Sequence, residues 1–293
     1  MKSRIVILGA GESGVGTALL AKQKGYDVFV SDGSVINSLF KNELVLNKID
    51  FEEGMHTNEK IFNAGIVMKS PGIPEKNGLV KELRKRKIEI ISEIEFAYRY
   101  KGSSRIVAIT GSNGKTTTTA MMYHICKEAK LNCAMVGNIG YSFARQVAMD
   151  PKEIYVVEVS SFQLDDIKSF RPDVAVLTNI TEDHLDRYEY NFENYIKSKF
   201  SIIKNQTEND FFIYNADDEI IIKYLNKFLT RTNPLPISMR KELPQGAYIT
   251  NAEMHIKWKK EEMSMSVDDF AIKGKHNQYN TMAAGLSALV MDI

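Results

Sequence analysis

Two cysteines among 293 residues leave no disulfide framework to read. Cys126 and Cys133 stand outside any C-x-x-C, and a chain so poor in cysteine fits a reducing, cytoplasmic setting. Long apolar runs are missing too: nothing approaches the ~18 apolar residues of a membrane-crossing helix. The opening residues, MKSRIVILGAG, pair basic residues with an apolar run, but the run soon breaks into Gly-x-Gly. It reads as a first strand and not as an export signal. A dominant charge is also lacking. Lys and Arg total 38 against 37 Asp and Glu, a net charge of +1, so no global electrostatic case exists for nucleic acid. The one basic stretch, Lys81–Lys87, is interleaved with apolar residues and reads as the solvated face of a helix. Neither an internal repeat nor a low-complexity tract is present.

What is present is strand–helix alternation. Arg4–Leu8 is β-branched and reads as a strand buried on both sides; a Gly-rich turn, a helix through Ala18–Lys24 and the strand Val28–Ser31 follow. This β-α-β order predicts a parallel sheet. Further strands are expected at Gly65–Lys69 and Glu89–Ile91, with a helix near Leu79–Lys87 between them. Ser92 and Glu95 have the spacing of a capping box. The polar stretch Lys101–Ser104 marks a domain boundary. Arg105–Thr110 opens a second α/β region with a long helix to about Lys130, strands at Ala134–Val136, Ile154–Val159 and Val174–Leu177, and helices over Phe192–Ile203, Asp218–Leu229 and His276–Met291. Short alternating strands are expected between Leu235 and Phe270.

The strongest motif is Gly111-Ser112-Asn113-Gly114-Lys115-Thr116-Thr117, placed between a strand and a helix. Glycines there let backbone N–H groups turn onto phosphate oxygens, and the helix N-terminus adds its partial positive charge. Lys115 is suited to the β- and γ-phosphates and the Thr116 hydroxyl to Mg²⁺. The early glycine of the longer form of this loop is missing, since Ile109 stands in its place. A second loop, Gly9-Ala10-Gly11-Glu12-Ser13-Gly14, matches G-x-G-x-x-G, with Asp32 ending the next strand, where an acid can hold a ribose or a base. Any nucleotide diphosphate can use such a loop. Ser70-Pro71-Gly72-Ile73-Pro74 follows another strand and either closes over the same ligand or is a rigid turn. Glu158 ends the strand Ile154–Val159, where carboxylates face the ligand crevice, and it is a candidate Mg²⁺ ligand. His184, amid Glu182, Asp183 and Asp186, is a second candidate. Taken alone, Lys199 is a surface lysine.

Together these residues resemble the Mur ligase family, ATP-dependent enzymes that build the stem peptide of peptidoglycan. Gly111–Thr117 is similar to that family's short G-x-N-G-K-[ST] loop, which accounts for the missing early glycine. Ser160-Ser161-Phe162-Gln163-Leu164, the Gly9–Gly14 loop with Asp32, and Ser70-Pro71-Gly72 look like the branch that adds D-glutamate to UDP-N-acetylmuramoyl-L-alanine. The resemblance implies an N-terminal Rossmann-like parallel-sheet domain over 1–102 that binds the UDP substrate, and a P-loop-type α/β ATP-binding domain over 103–293. It implies that Gly11, Ser13, Gly14, Val15, Asp32, Gly33, Ser34, Ser70 and Gly72 hold the UDP part. Asn138 and Ser160 would contact the muramyl-alanine end. Thr116, Glu158 and His184 would organise Mg²⁺, with Lys199 carbamylated by CO₂ to join them. His276, Asn277 and Asn280, an H-N-x-x-N segment, would contact adenine. Lys115, Glu158, His184 and Lys199 form the implied catalytic set, acting through an acyl phosphate, in a cytoplasmic monomer with no nucleic-acid or membrane partner.

One departure from the pattern stands out. The family carries a third, C-terminal α/β domain, whereas this chain stops at Ile293. The expectation is a truncated form that binds substrates and ligates poorly. Two other readings stay open: an NAD(P)-dependent oxidoreductase, resting on Gly9–Gly14 and Asp32, and a non-catalytic P-loop nucleotide-binding protein. A Mur ligase adding alanine or a diamino acid is a third, weighed against by Ser160–Leu164.

Overall fold

A computed structural model describes residues 3–293. In chain order it runs β1 (Arg4–Leu8), α1 (Glu12–Gln23), β2 (Asp27–Asp32), α2 (Ser38–Leu46), β3 (Asp50–Glu53), α3 (Asn58–Ile61), β4 (Ile66–Lys69), α4 (Gly78–Lys85), β5 (Glu89–Ile91) and α5 (Glu93–Tyr98). It continues with β6 (Arg105–Thr110), α6 (Lys115–Glu128), β7 (Cys133–Gly137), α7 (Phe143–Met149), β8 (Ile154–Glu158), α8 (Ser161–Leu164), β9 (Val174–Leu177) and α9 (Phe192–Phe200). The last elements are β10 (Phe211–Asn215), α10 (Glu219–Phe228), β11 (Asn233–Ser238), β12 (Gly246–Thr250), β13 (Glu253–Trp258), β14 (Glu261–Ser266) and α11 (Lys275–Val290). These residues form two compact units. The first holds the chain through Gly102 together with Gly140–Lys152 and Phe162–Phe170; the second holds Ser103–Ile139, Glu153–Ser161 and Arg171–Ile293. The block expected over 103–293 is therefore not continuous, because two of its segments fold with the first unit.

In the first unit, among the described residues, a five-stranded sheet runs in the order β3-β2-β1-β4-β5, parallel throughout. Ile5 to Leu8 are fully buried, as a central parallel strand with both faces covered requires. Val6, Leu8, Phe29, Val67, Leu83 and Ile90 make its core. The two later segments are tied down by specific chemistry. A Cβ on Gly16 would lie 2.0 Å from Ser142 Oγ, so α1 needs glycine where α7 crosses it. Arg145 in α7 donates to Glu12 Oε1 at 2.7 Å and pairs with Glu43. In the other segment, buried Asp166 lies 3.1 Å from Lys69 Nζ and also pairs with Arg84.

Glu95 accepts the N–H groups of Lys168, Ser169 and Phe170 at 2.9, 2.9 and 2.8 Å and the Ser169 hydroxyl at 2.6 Å. Burial alone pushes its pKa up, but the Ser169 hydroxyl, these N–H groups and Arg99 hold it below the ordinary carboxylate value. Only half of the expected capping box therefore forms. Ser92 Oγ accepts from Glu95 N at 3.4 Å, while the Glu95 carboxylate has turned to residues 168–170.

In the second unit, again among the described residues, nine strands run β14-β13-β12-β11-β10-β9-β6-β8-β7. The sheet is parallel from β7 to β12 and closes with the antiparallel pairs β12–β13 and β13–β14. Its core joins Val107, Ile109, Val156, Val176 and Ile213 to Met282 and Leu286 of α11. Pro234 and Pro236 lack the N–H that an interior strand uses, and β12 pairs with β11 only from Ile237 onward. That is why this region resisted placement from sequence. The order of the strands puts switches in direction beside β1 in the first sheet and beside β6 in the second, and in such sheets the crevice for ligands opens at the carboxyl ends there. Among the described residues, no helix is long and apolar enough to cross a membrane.

Beneath α7, one buried group makes the first unit sensitive to pH. Glu93 is fully buried, its Oε1 accepts from Ala144 N, and its Oε2 has no hydrogen-bond partner among the described residues. Burial, helped by the charge of Glu12 and opposed by the Ala144 N–H, raises its pKa from 4.5 to about 8. The stability held in the neutral carboxyl is complete below pH 4.5 and is lost as pH climbs towards about 8. Glu93→Gln cannot ionise. Thermal melts should show the variant gaining on the wild type between pH 5 and pH 8; a gap independent of pH contradicts a neutral Glu93.

Candidate active site

Three strand ends of the second unit meet around the loop Gly111–Thr117. The loop leaves β6 at Gly111, where φ is +150° and a Cβ would stand 1.9 Å from Thr178 Oγ1, just past β9. At Gly114 φ is +83° and a Cβ would meet Asn280 Oδ1 of α11 at 2.6 Å. Side chains from β9's exit brace the loop: Asn113 N donates to Asn179 Oδ1 at 2.9 Å, and Thr178 Oγ1 donates to Asn113 O at 2.6 Å. Ser112 Oγ donates to Thr181 O at 2.9 Å. The loop is thus held open from outside, leaving the N-terminus of α6 to face the crevice.

Lys115 folds back over the loop, donating from Nζ to Gly111 O and Ser112 O, both at 2.9 Å. Burial lowers its pKa, while the charges of Glu158 and Asp183 act in the opposite direction. Below it lies Glu158, 1% exposed at the end of β8. Its Oε2 accepts from Thr116 Oγ1 and its Oε1 from Asn138 Nδ2, each at 2.8 Å. Gly137 makes this approach possible, since a Cβ there would be 2.3 Å from Glu158 O. Ser160 sits in the turn after β8. Lys199, 2% exposed on α9, donates to Gly111 O at 2.7 Å and lies 4.6 Å from the centre of the Tyr195 ring. His184 occupies an exposed left-handed turn, with φ of +49°, and its Nε2 is 3.4 Å from Asp183 Oδ2. Hydrogen bonds therefore unite Thr116, Asn138 and Glu158, and bring Lys199 to the loop's first residue, whereas His184 pairs with its neighbour Asp183.

Beside the loop is a cavity of about 570 Å³. Asn113, Gly114 and Thr117 line one wall; His276, Asn277 and Asn280 line another. Asn280 ties the two, accepting from Thr118 Oγ1 at 3.1 Å and donating to Asn277 Oδ1 at 3.1 Å. Sequence reasoning missed Asp217 and Tyr279 in this cavity. Asp217 accepts from Ser238 Oγ, Met239 N and Tyr279 Oη at 2.7, 2.7 and 2.8 Å. The signal for Asp217 lies in its place after the buried strand β10, as Glu158 ends β8. A second cavity, of about 410 Å³, is lined by Met121, Ile125, Met254 and Ile256. Its walls are almost wholly apolar, so we place no chemistry there.

In the first unit the Gly9–Gly14 loop is compact. Gly9 has φ of +93°, and a Cβ on Gly14 would fall 1.9 Å from Gly9 O. Gly11 precedes α1 with open space around it, and Ser13 O accepts from Thr17 Oγ1. Val15 is fully buried, so its side chain faces the core. Asp32 Oδ2 accepts from Ala10 N at 2.7 Å and Oδ1 from Ser34 N at 2.8 Å, so its carboxylate clamps two loops. Gly33 and Ser34 are exposed beside it. Ser70 Oγ lies 3.5 Å from Gly9 O, and Gly72 is open. Asn138 and Ser160 belong to the second unit, apart from the rest of the expected substrate set.

Comparison with known proteins bears on both units. The Mur ligase middle domain model matches residues 109–288, and the MurD N-terminal domain model matches residues 4–78. A Christiangramia forsetii protein named UDP-N-acetylmuramoylalanine–D-glutamate ligase is 48% identical over 293 residues, covering 100% of this chain and 66% of that protein. One of the same name from Bacteroides fragilis is 51% identical over 285 residues, covering 97% and 64%. The chain thus spans just under two thirds of these relatives' length. Among solved structures, the UDP-N-acetylmuramate:L-alanyl-gamma-D-glutamyl-meso-diaminopimelate ligase of Neisseria meningitides superposes with a TM-score of 0.67 at 19% identity, covering 100% of this chain and 95% of that one. At that identity the likeness speaks for the fold.

The close approach of Gly111 to β9 is testable by stability. Gly111→Ala adds a strained backbone and a clash with Thr178, whereas Gly102→Ala, at φ of +68° with nothing within 4 Å, adds strain alone. Urea unfolding should show a loss of about 1 kcal/mol for Gly102→Ala and at least about 2 kcal/mol for Gly111→Ala. Equal losses contradict the packed loop.

Proposed function

The chain belongs to the Mur ligase family, and on that premise we propose that it carries the nucleotide-binding parts of an ATP-dependent ligase that adds D-glutamate to UDP-N-acetylmuramoyl-L-alanine. The observation that carries this reading is the line Thr116–Glu158–Asn138 directly under the Gly111–Thr117 loop. It joins a phosphate cradle to a buried carboxylate and to an amide at the neighbouring strand's exit. The names of the relatives support the choice of D-glutamate as the incoming amine.

In this reading ATP lies along the loop, with its phosphates on the N–H groups at the start of α6 and its adenine in the cavity walled by His276, Asn277 and Asn280. Lys115 needs only to swing from Gly111 O and Ser112 O to reach the transferring phosphoryl group. The substrate carboxylate attacks the γ-phosphorus, ADP leaves, and an acyl phosphate forms. The D-glutamate amine then adds to the acyl carbon, and phosphate departs as the amide closes. Asn138 and Ser160 position the muramyl-alanine end, and the first unit holds the UDP end at Gly11–Gly14, Gly33 and Ser34. The chemistry asks chiefly for positioning and charge neutralisation.

Mg²⁺ would supply the main neutralising charge on the phosphates. The oxygen pair of Thr116 and Glu158 fits it, because Mg²⁺ at phosphates takes one or two protein oxygens and keeps several waters. His184 would join through the turn that carries Asp183. Lys199, as an ammonium, only donates and cannot ligate a cation; carbamylation by CO₂ would turn it into an oxygen ligand beside Gly111. These nucleotide substrates favour a cytoplasmic location.

Calorimetric titration with UDP-N-acetylmuramoyl-L-alanine, with NAD as a control, tests the reading. Micromolar binding of the UDP-sugar and none of NAD is expected; binding of NAD, or of neither, contradicts it. Lys115→Ala should weaken ATP binding by at least about tenfold, the loss of a charge-assisted contact. Unchanged ATP affinity would remove Lys115 from the phosphates.

A further inference from the structure

His56 lies just beyond β3, next to the end of β2, and the proposed function leaves it without a role. Its surroundings are built. Ser31 in β2 stands in register with Glu52 in β3, and both are buried. Ser31 Oγ donates to Glu52 Oε1 at 2.7 Å and lies 2.7 Å from His56 Nδ1. A carboxylate only accepts, so the single Ser31 hydroxyl proton goes to Glu52. The Ser31 oxygen then accepts from His56, which places a proton on Nδ1; in the neutral ring Nε2 is therefore the acceptor. Thr57 N donates to Glu52 Oε1 at 2.8 Å, anchoring the relay to the backbone.

The direction of Nε2 gives this tautomer its meaning. Nε2 stands 3.1 Å from where a Cβ would sit on Gly33, so the ring edge lies against exposed backbone at the end of β2. In a parallel sheet of this order, a diphosphate at the start of α1 leaves its nucleoside over the ends of β2 and its outer neighbour. The usual acceptor for the ribose hydroxyls there is the acid that ends β2. In this chain each oxygen of that acid, Asp32, already takes one backbone N–H group, from Ala10 or Ser34, which leaves one lone pair apiece and room for a second acceptor beside it. We propose that His56 Nε2 accepts a ribose hydroxyl of the bound uridine nucleotide, with Ser31 and Glu52 as positioning residues that set its tautomer. This assignment rests on the reading of the first unit as a UDP site.

The test titrates UDP and 2′,3′-dideoxyuridine 5′-diphosphate into wild type and His56→Ala, with ATP as a control for an intact second unit. Wild type should bind UDP about fivefold more tightly than the dideoxy form, the worth of one neutral hydrogen bond. His56→Ala should lose about that factor for UDP, bind the two ligands alike, and leave ATP binding unchanged. The assignment is overturned if His56→Ala binds UDP as wild type does, or if it still discriminates against the dideoxy form. A wild type that binds no UDP overturns the UDP reading itself, an outcome seen without any variant. Ser31→Ala, which frees the tautomer, should weaken UDP binding by less than His56→Ala; an equal or greater loss contradicts a purely positioning role for Ser31.

Discussion

The second unit depends on one buried carboxylate. Glu158 has almost no contact with solvent, and an unpaired charge in that position would be costly. Two neutral donors satisfy it, Thr116 from the first turn of α6 and Asn138 from the exit of β7. The same residue therefore joins the phosphate loop, the strand it ends and the strand at the sheet's edge. Gly137 is needed because the Glu158 carbonyl approaches too closely for a side chain, and Gly111 because the Thr178 hydroxyl does.

The first unit solves a related problem with different atoms. Asp32 clamps the Gly-rich loop to the turn after β2 through two backbone N–H groups. Glu95 gathers three N–H groups of a segment that begins far along the chain. Arg145 does the same for α7 with Glu12 and Glu43. These contacts explain why Gly140–Lys152 and Phe162–Phe170 leave the sequence region of the second unit. Asn138, two residues before the first of these segments, stays with the second unit through its bond to Glu158.

Much of this was legible in the sequence, for physical reasons. Arg105–Thr110 and Val174–Leu177 matched their strands because fully buried parallel strands are short runs of β-branched residues. The phosphate loop was legible because its glycines and its lysine serve local geometry. The excursions of 140–152 and 162–170 were not, since nothing in local periodicity reports that Asp166 will meet Lys69 or that Arg145 will meet Glu12. β3 was hidden by its acids and β11 by its two prolines. Asp217 and His56 escaped notice because their importance lies in partners distant in sequence.

The central claim is that two nucleotides bind at once, one at each Gly-rich loop. Sequential calorimetry tests it most directly: the chain is saturated with UDP, then titrated with ATP and Mg²⁺. The account predicts one ATP per chain, with an affinity little changed by the bound UDP. Loss of ATP binding in the presence of UDP would mean a single shared nucleotide site and would contradict the account.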